Sequence, residues 1–325
     1  MQKETPQQQA GHGERISGWV EAGFYVIAIA ILGVMNAFAI SQGAHPIVFI
    51  LYSLLIAAAG MLSVTGLGNE AVPIMLSPRS WIVGIAAILV EICYCLALVT
   101  LSPAEGTLVL RLSIPMALVV GWLVFHRSPG LGAWIGAGIV GAGVATLLWL
   151  VDLNSQTIGL FYGFLAAAAI CLRGYASEFH PWNRAARTVM AKMQITGLVV
   201  LVTGFACLIL VAASTVLVAS GYLERSSLFA APSDLWHWPT LVIALLMGGL
   251  LFTAMNYLQL SSVVKIQTEN FIATSAFMPL AALLMQSLAV SAGIINTTMF
   301  DWRLVPGGVL VIIGVLVLIA SRARR

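Results

Sequence analysis

Ten stretches of roughly 20 apolar residues recur along this chain, and they decide most of what it can fold into. A hydrocarbon layer about 30 Å thick is crossed by about 20 helical residues. The runs fall near residues 19–41, 46–66, 80–101, 104–125, 131–151, 157–179, 188–219, 239–259, 268–290 and 304–320. They predict an all-α integral membrane protein with ten transmembrane helices. The seventh run is long enough to overshoot the bilayer or tilt within it, and Arg111 and Arg173 interrupt the fourth and sixth. Composition agrees. Of 325 residues, 60% are hydrophobic and 8% are charged, against about 25% charged in a soluble domain, and the mean hydropathy is +1.01. A soluble fold, a disordered chain and a nucleic-acid-binding protein are all excluded by that balance.

The polar opening stretch predicts a disordered cytoplasmic N-terminus over residues 1–18, and residues 321–325 a basic cytoplasmic tail. Ala37-Phe38-Ala39 mimics a signal-peptidase site, but Glu21 and Asn36 make the run before it a poor secretory core. With the N-terminus inside, the inner segments collect Lys3, Arg15, Arg79, Arg127, Arg184, Arg187, Lys192, Lys265, Arg322, Arg324 and Arg325, and the outer loops only Arg225 and Arg303. Eleven against two places both termini in the cytoplasm by the positive-inside rule. Trp236 and Trp238 then stand at the outer interface, where aromatic anchors belong.

Soluble-enzyme chemistry finds no support. The four cysteines (Cys93, Cys95, Cys171, Cys207) lie in apolar runs without a CxxC pair and read as buried small hydrophobes. The five histidines are scattered without ligand spacing. There is no phosphate-cradling Gly loop and no GxSxG, so no enzyme activity, metal or cofactor is expected.

The two halves echo each other. Glu105 precedes Pro115 by ten residues, and Glu269 precedes Pro279 by ten; Tyr94 lies 21 before the first proline and Tyr257 22 before the second. A Gly-rich run follows each: Gly132, Gly136, Gly138, Gly141 and Gly143, then Gly307, Gly308 and Gly314. These matches predict two five-helix repeats, residues 19–151 and 157–320. Five is odd, so the second repeat enters the membrane from the opposite side, and inverted repeats are a common architecture of secondary transporters.

On the stretch CYCLALVTLSPAEGTLVLRLSIPMALVVGWLVF…GAWIGAGIVGAG (Cys93 to Gly143), its partner from Gly248 to Val317, and Ala191-Lys192-Met193-Gln194 opening the seventh span, the chain resembles the drug/metabolite transporter superfamily in its ten-helix EamA-type branch. The resemblance implies export of a metabolite, amino acid or drug-like compound by alternating access. It has departures. His126-Arg127 and Gln286-Ser287 stand near where the family often has Gly-Glu, the first-helix Trp-Gly pair is missing while Gly33 and Asn36 remain, and Tyr52 lies near a frequent second-helix Arg.

Ionisable groups deep in a bilayer cost roughly 2.5–3.5 kcal/mol each on insertion scales, so each needs a reason. Glu91 lies near the midplane of the third span with Tyr94 on the same face, and Arg111 sits in the fourth span between Thr107 and Pro115. The expectation is that Glu91 and Arg111 approach each other, as a substrate or proton-coupling site or as an ion pair that locks two helices. Arg173 is either a headgroup-seeking cation or a gate, with Glu178 and Glu269 as its partners. Asn36, Gln194, Asn256 and Tyr257 are helix–helix hydrogen-bonders singly and a polar cavity as a set. Pro115 and Pro279 break the helical ladder at matched places and suit gates.

The sequence therefore predicts a secondary-active carrier, in the exporting direction the family implies, in a bacterial-type inner membrane. No ATP-binding element is present, so a gradient, an exchange partner or a separate subunit must drive it. The expected partners are a small-molecule solute, the lipid bilayer and a second copy of the chain as a homodimer. The alternative is a scaffold or accessory subunit that keeps the fold without transport.

Overall fold

The computed structural model describes residues 12–150, 153–296 and 302–323, and among them every regular element is helical. In chain order these are α1 (His12–Ser41), α2 (Pro46–Thr65), α3 (Ala71–Leu76), α4 (Pro78–Ala97), α5 (Pro103–Leu110), α6 (Ser113–Leu123), α7 (Leu131–Leu148), α8 (Leu153–Glu178), α9 (Pro181–Ala185), α10 (Val189–Ala219), α11 (Pro232–Leu235) and α12 (Trp238–Leu246). A π-helical turn (Met247–Phe252) then leads into α13 (Thr253–Ser275), followed by α14 (Met278–Ser291) and α15 (Leu304–Ala323). A proline in the first turn opens α2, α4, α5, α9, α11, α12 and α14, where its missing N–H would have had no partner anyway.

Eight helical stretches among the described residues are long and apolar enough to cross a membrane, and α7 and α14 are shorter apolar helices. The outward surface is apolar. Leu210, Ile209 and Leu250 are 67–69% exposed, which a water-facing surface would not tolerate in such density. The molecule is a multi-pass helical membrane protein.

Neighbour contacts fix the helix directions. Gly33 of α1 faces the Tyr94 hydroxyl and Pro103, so α1 ends where α4 ends and α5 begins. Along α7 and α15, Gly132 meets Ser321, Gly136 meets Gly314, and Gly143 meets Gly307, an antiparallel pair. A Cβ on Gly136 would stand 2.6 Å from the Gly314 carbonyl oxygen, so only glycine permits this approach. Leu304 at the start of α15 clusters with Leu101 and Ala104, at the end where α5 begins. His12 and Ala323 therefore lie on one face, called here the terminal face.

Three boundaries differ from expectation. Helix α1 begins at His12, inside the stretch read as a disordered tail; residues 1–11 lie outside the described residues. The fourth span is two helices, with the chain turning at Arg111–Leu112, because Pro115 cannot bond the carbonyl four residues back. The polar stretch near 260–267, read as a loop between spans, is helical and continuous with α13. Its Ser, Lys and Gln interrupt a hydrophobic run, but without Gly or Pro nothing there interrupts a helix.

Candidate functional site

A column of polar side chains runs from the terminal face into the bundle. Its first part is a cavity of about 40 Å³ walled by Asn183, Ser177, Arg173 and Thr196. Arg173 and Thr196 are shared with the next cavity, about 30 Å³, where Glu91 of α4 and Asn256 of α13 join them opposite Leu54 and Met61 of α2. They have room for about three or four and about two or three waters respectively, given the ~10–15 Å³ that one water requires by this measure. The π-turn before α13 sits at Gly248–Gly249, where Gly248 packs against the Ser53 carbonyl, and it turns Phe252 and Asn256 toward this cavity. Asn256 Nδ2 donates to the Phe252 carbonyl at 2.8 Å.

Glu91 thus meets Arg173, not Arg111. Arg173 is the cation in electrostatic contact with it, across the cavity and beyond the 4.0 Å of an ion pair. The expected Glu91–Arg111 pair is a correction. Glu91 lies on the side of α4 that faces α8 and α10, whereas Arg111, at the turn between α5 and α6, reaches toward α13 and α14. Arg173 itself, half-buried, lines both cavities.

Arg111 is 9% exposed. Its Nη1 donates to the Ser275 carbonyl at 3.3 Å, Nη2 to Met278 Sδ at 3.2 Å, and Nε to its own Thr107 carbonyl at 3.4 Å. Ser275 stands four residues before Pro279, so its carbonyl is the one that the proline cannot engage. Pro115 and Pro279 both occupy the first turn of the helix after a break, α6 and α14. Tyr25 and Tyr94 lie within electrostatic reach of Arg111 and of Glu91.

Beyond Arg111, Tyr94 is 3% exposed and Asn36 fully buried, and neither the Tyr94 hydroxyl nor either Asn36 amide atom has a hydrogen-bond partner among the described residues. They sit together, since Tyr94 Oη faces Gly33, one turn before Asn36 on α1. Gln286 closes the column from α14, its Oε1 accepting from Ala104 N–H at 3.0 Å. Tyr257 is a correction. It is 39% exposed on the outer surface, because a neighbour of Asn256 in a helix points about 100° away from it.

On the face opposite the termini, the described residues include a loop laid over the start of α2. The loop between α10 and α12 folds over α2, with His45 Nε2 donating to Ser226 O at 2.9 Å and Tyr52 Oη to Leu235 O at 3.0 Å. Arg225 Nη2 binds Asp234 Oδ1 at 2.7 Å, and Asp234 Oδ2 accepts from Ala231 N–H at 2.8 Å. Burial lowers the His45 pKa and keeps the ring neutral.

At the terminal face, Glu178 pairs with Arg127 at the end of α6, not with Arg173. The Arg127 guanidinium lies over Phe125 and Tyr175, whose rings stack at 4.5 Å. Lys265 pairs with Glu21 and also donates to Ser17 Oγ at 3.2 Å, tying α13 to the foot of α1. The Glu269 side chain lies outside the described residues. Glu105 caps α5 in a reciprocal box with Ser102, a role that the Ser-Pro-Ala-Glu spelling signals. Gln194 bonds the Thr65 and Gly66 carbonyls at the end of α2. Sequence reasoning gave no role to Arg127, Thr196, Gln286 or His180; Arg127 and Gln286 carried a signal in standing near the Gly-Glu places of the resemblance, and His180 in preceding a helix-opening Pro.

No family model matches the chain, and no curated protein matches it. A solved structure described only as the crystal structure of a protein is similar over 95% of this chain and 99% of its own, at 17% identity and a TM-score of 0.57. At that identity the likeness concerns the fold alone.

Proposed function

We propose that the chain is a secondary-active carrier, an exporter of a small organic metabolite or drug-like solute, that works by alternating access in the bacterial inner membrane with both termini cytoplasmic. The observation that carries this reading is the polar column. Arg173 and Glu91 line two small adjoining cavities between the terminal face and the centre, while at the opposite end the 220–237 loop lies over α2. A half-buried acid and base facing each other across space for water serve a pathway better than they serve stability.

Ten spans in two inverted five-helix repeats, as in the EamA-type branch of the drug/metabolite transporters, account for the packing. In that reading α7 and α14 supply the fifth and ninth spans. Exchanging the halves turns the α4–α8 contact into α13–α1, and leaves α2–α10, α5–α14 and α7–α15 as pairs that map onto themselves. Each of the two broken spans turns just before a proline. The small cavities suit a carrier closed around its centre. They also suit the second reading, a scaffold that does not transport, and the test separates the two.

Mass spectrometry of the medium from cells overproducing the wild type or Glu91→Gln is the test. A metabolite enriched outside with the wild type, and lost or made independent of pH with the variant, supports a carrier coupled through Glu91. Enrichment with both keeps the exporter and removes Glu91 from coupling. With both proteins folded in the membrane, no difference from empty cells sinks the exporter.

A further inference from the structure

Arg111 carries a charge into the centre of the bundle without any carboxylate within 4.0 Å of it among the described residues. Its partners are two carbonyl oxygens and a thioether, at 3.2–3.4 Å. Three contacts at the long end of the hydrogen-bond range leave part of a five-donor guanidinium unused. One of those contacts joins the halves: Arg111, at the break in the fourth span, holds the Ser275 carbonyl at the break before α14. A buried cation held, among the described residues, by dipoles alone is poised to exchange them for an anion, since an oxyanion offers bidentate, charge-assisted bonds. Three further buried polar atoms without partners, Tyr94 Oη and the Asn36 amide pair, lie farther along the same column, with the Tyr94 ring in electrostatic reach of Arg111.

We propose that Arg111 is an oxyanion receptor and a latch in one: at rest it holds the start of α14 through Ser275 and Met278, and a carboxylate or phosphate bound to the guanidinium releases that hold. Anion binding then frees the two broken spans to move against each other, and the solute class is one bearing an oxyanion. The identity of that solute rests on the carrier reading; the receptor and the latch do not.

The purified protein in detergent is titrated with sodium benzoate or sodium phosphate against sodium chloride at equal ionic strength, and two quantities are read: the melting temperature, and hydrogen exchange in the peptide covering residues 276–284. In the wild type, one of the two oxyanions raises the melting temperature saturably while exchange in 276–284 becomes faster; which one does so separates carboxylate from phosphate solutes. In Arg111→Gln the melting shift vanishes and exchange is fast from the outset. Should that variant fail to fold, Arg111→Lys decides, because it keeps the charge but loses the planar fork; weaker anion stabilisation and fast basal exchange are expected. The receptor is overturned if neither oxyanion stabilises the wild type, or if the variants respond as the wild type does. Stabilisation with unchanged exchange in 276–284 overturns the latch. An Arg111-dependent shift beside a medium unchanged by overproduction removes the carrier reading and leaves the receptor standing.

Discussion

Single side chains at the terminal face set a pH limit on this fold. His180 is fully buried, with Nδ1 accepting from Asn183 N–H at 3.4 Å and Nε2 donating to Ser80 Oγ at 2.9 Å. Those two bonds require the neutral Nε2–H tautomer, because a second proton would face the Asn183 N–H. Burial, and then the nearby Arg79 charge, lower its pKa below the ordinary 6.5. A group whose folded pKa is depressed takes up protons more readily when unfolded, so its contribution is whole above 6.5 and fades as pH falls toward the folded value. The melting temperature in detergent is expected to drop between about pH 7 and pH 5, and His180→Asn to be less stable at pH 7 with a flatter profile. An unaltered pH slope in the variant would assign the dependence elsewhere. The depth of Glu91 and Arg111 was legible in the sequence, since hydropathy and residue count give position along a helix. Their partners were not. Which neighbour a residue faces depends on rotation and crossing between distant helices, and a shift of one residue, as from Asn256 to Tyr257, changes cavity for surface.

Among elements, α7 and α15 show how glycine spacing becomes structure. Gly136 and Gly314 each stand where a Cβ would meet the other's carbonyl oxygen at 2.6 Å, and backbone on both sides leaves nothing flexible to yield. Gly138, two residues on, has nothing within 4 Å. Gly136→Val is therefore expected to force the helices apart and cost about 1–3 kcal/mol, whereas Gly138→Val changes stability by less than about 0.5 kcal/mol. Thermal unfolding of the two variants side by side checks the contrast; equal losses would mean that the close α7–α15 approach is not what singles out Gly136, since valine's helix propensity exceeds glycine's at both positions. The small-residue spacing announced this contact, and apolar runs announced the helices themselves. The breaks were half legible: Pro115 and Pro279 marked them, but the prolines sit at the starts of α6 and α14, not in mid-helix. The helix through 260–267 was hidden because hydropathy measures solvent preference, and a polar stretch without Gly or Pro keeps its helical bonds when it leaves the hydrocarbon.

Among the described residues, a loop is bonded over α2 at one end of the molecule, and two water-sized cavities lie between the other end and the centre. A carrier must reverse that asymmetry, and a scaffold has no reason to. Replacing Cys93, Cys95, Cys171 and Cys207 by alanine leaves a background on which single cysteines report access. Ser177→Cys, lining the cavity near the terminal face, is expected to react with a membrane-impermeant maleimide in inside-out vesicles and not in right-side-out ones. Asn36→Cys, fully buried in this state, is expected to react slowly and only from the other side. Its rate there must depend on the loop that lies over α2 at that face. Asp234 holds the loop through Arg225 and the Ala231 N–H, so Asp234→Asn weakens the charged half of the clasp while keeping its shape. Faster labelling of Asn36→Cys from the outside in the Asp234→Asn background, with slower labelling of Ser177→Cys from the inside, is the signature of a two-state exchange in which opening one end closes the other. A Ser177→Cys rate indifferent to Asp234→Asn would mean that the two ends are uncoupled, as a scaffold would have them.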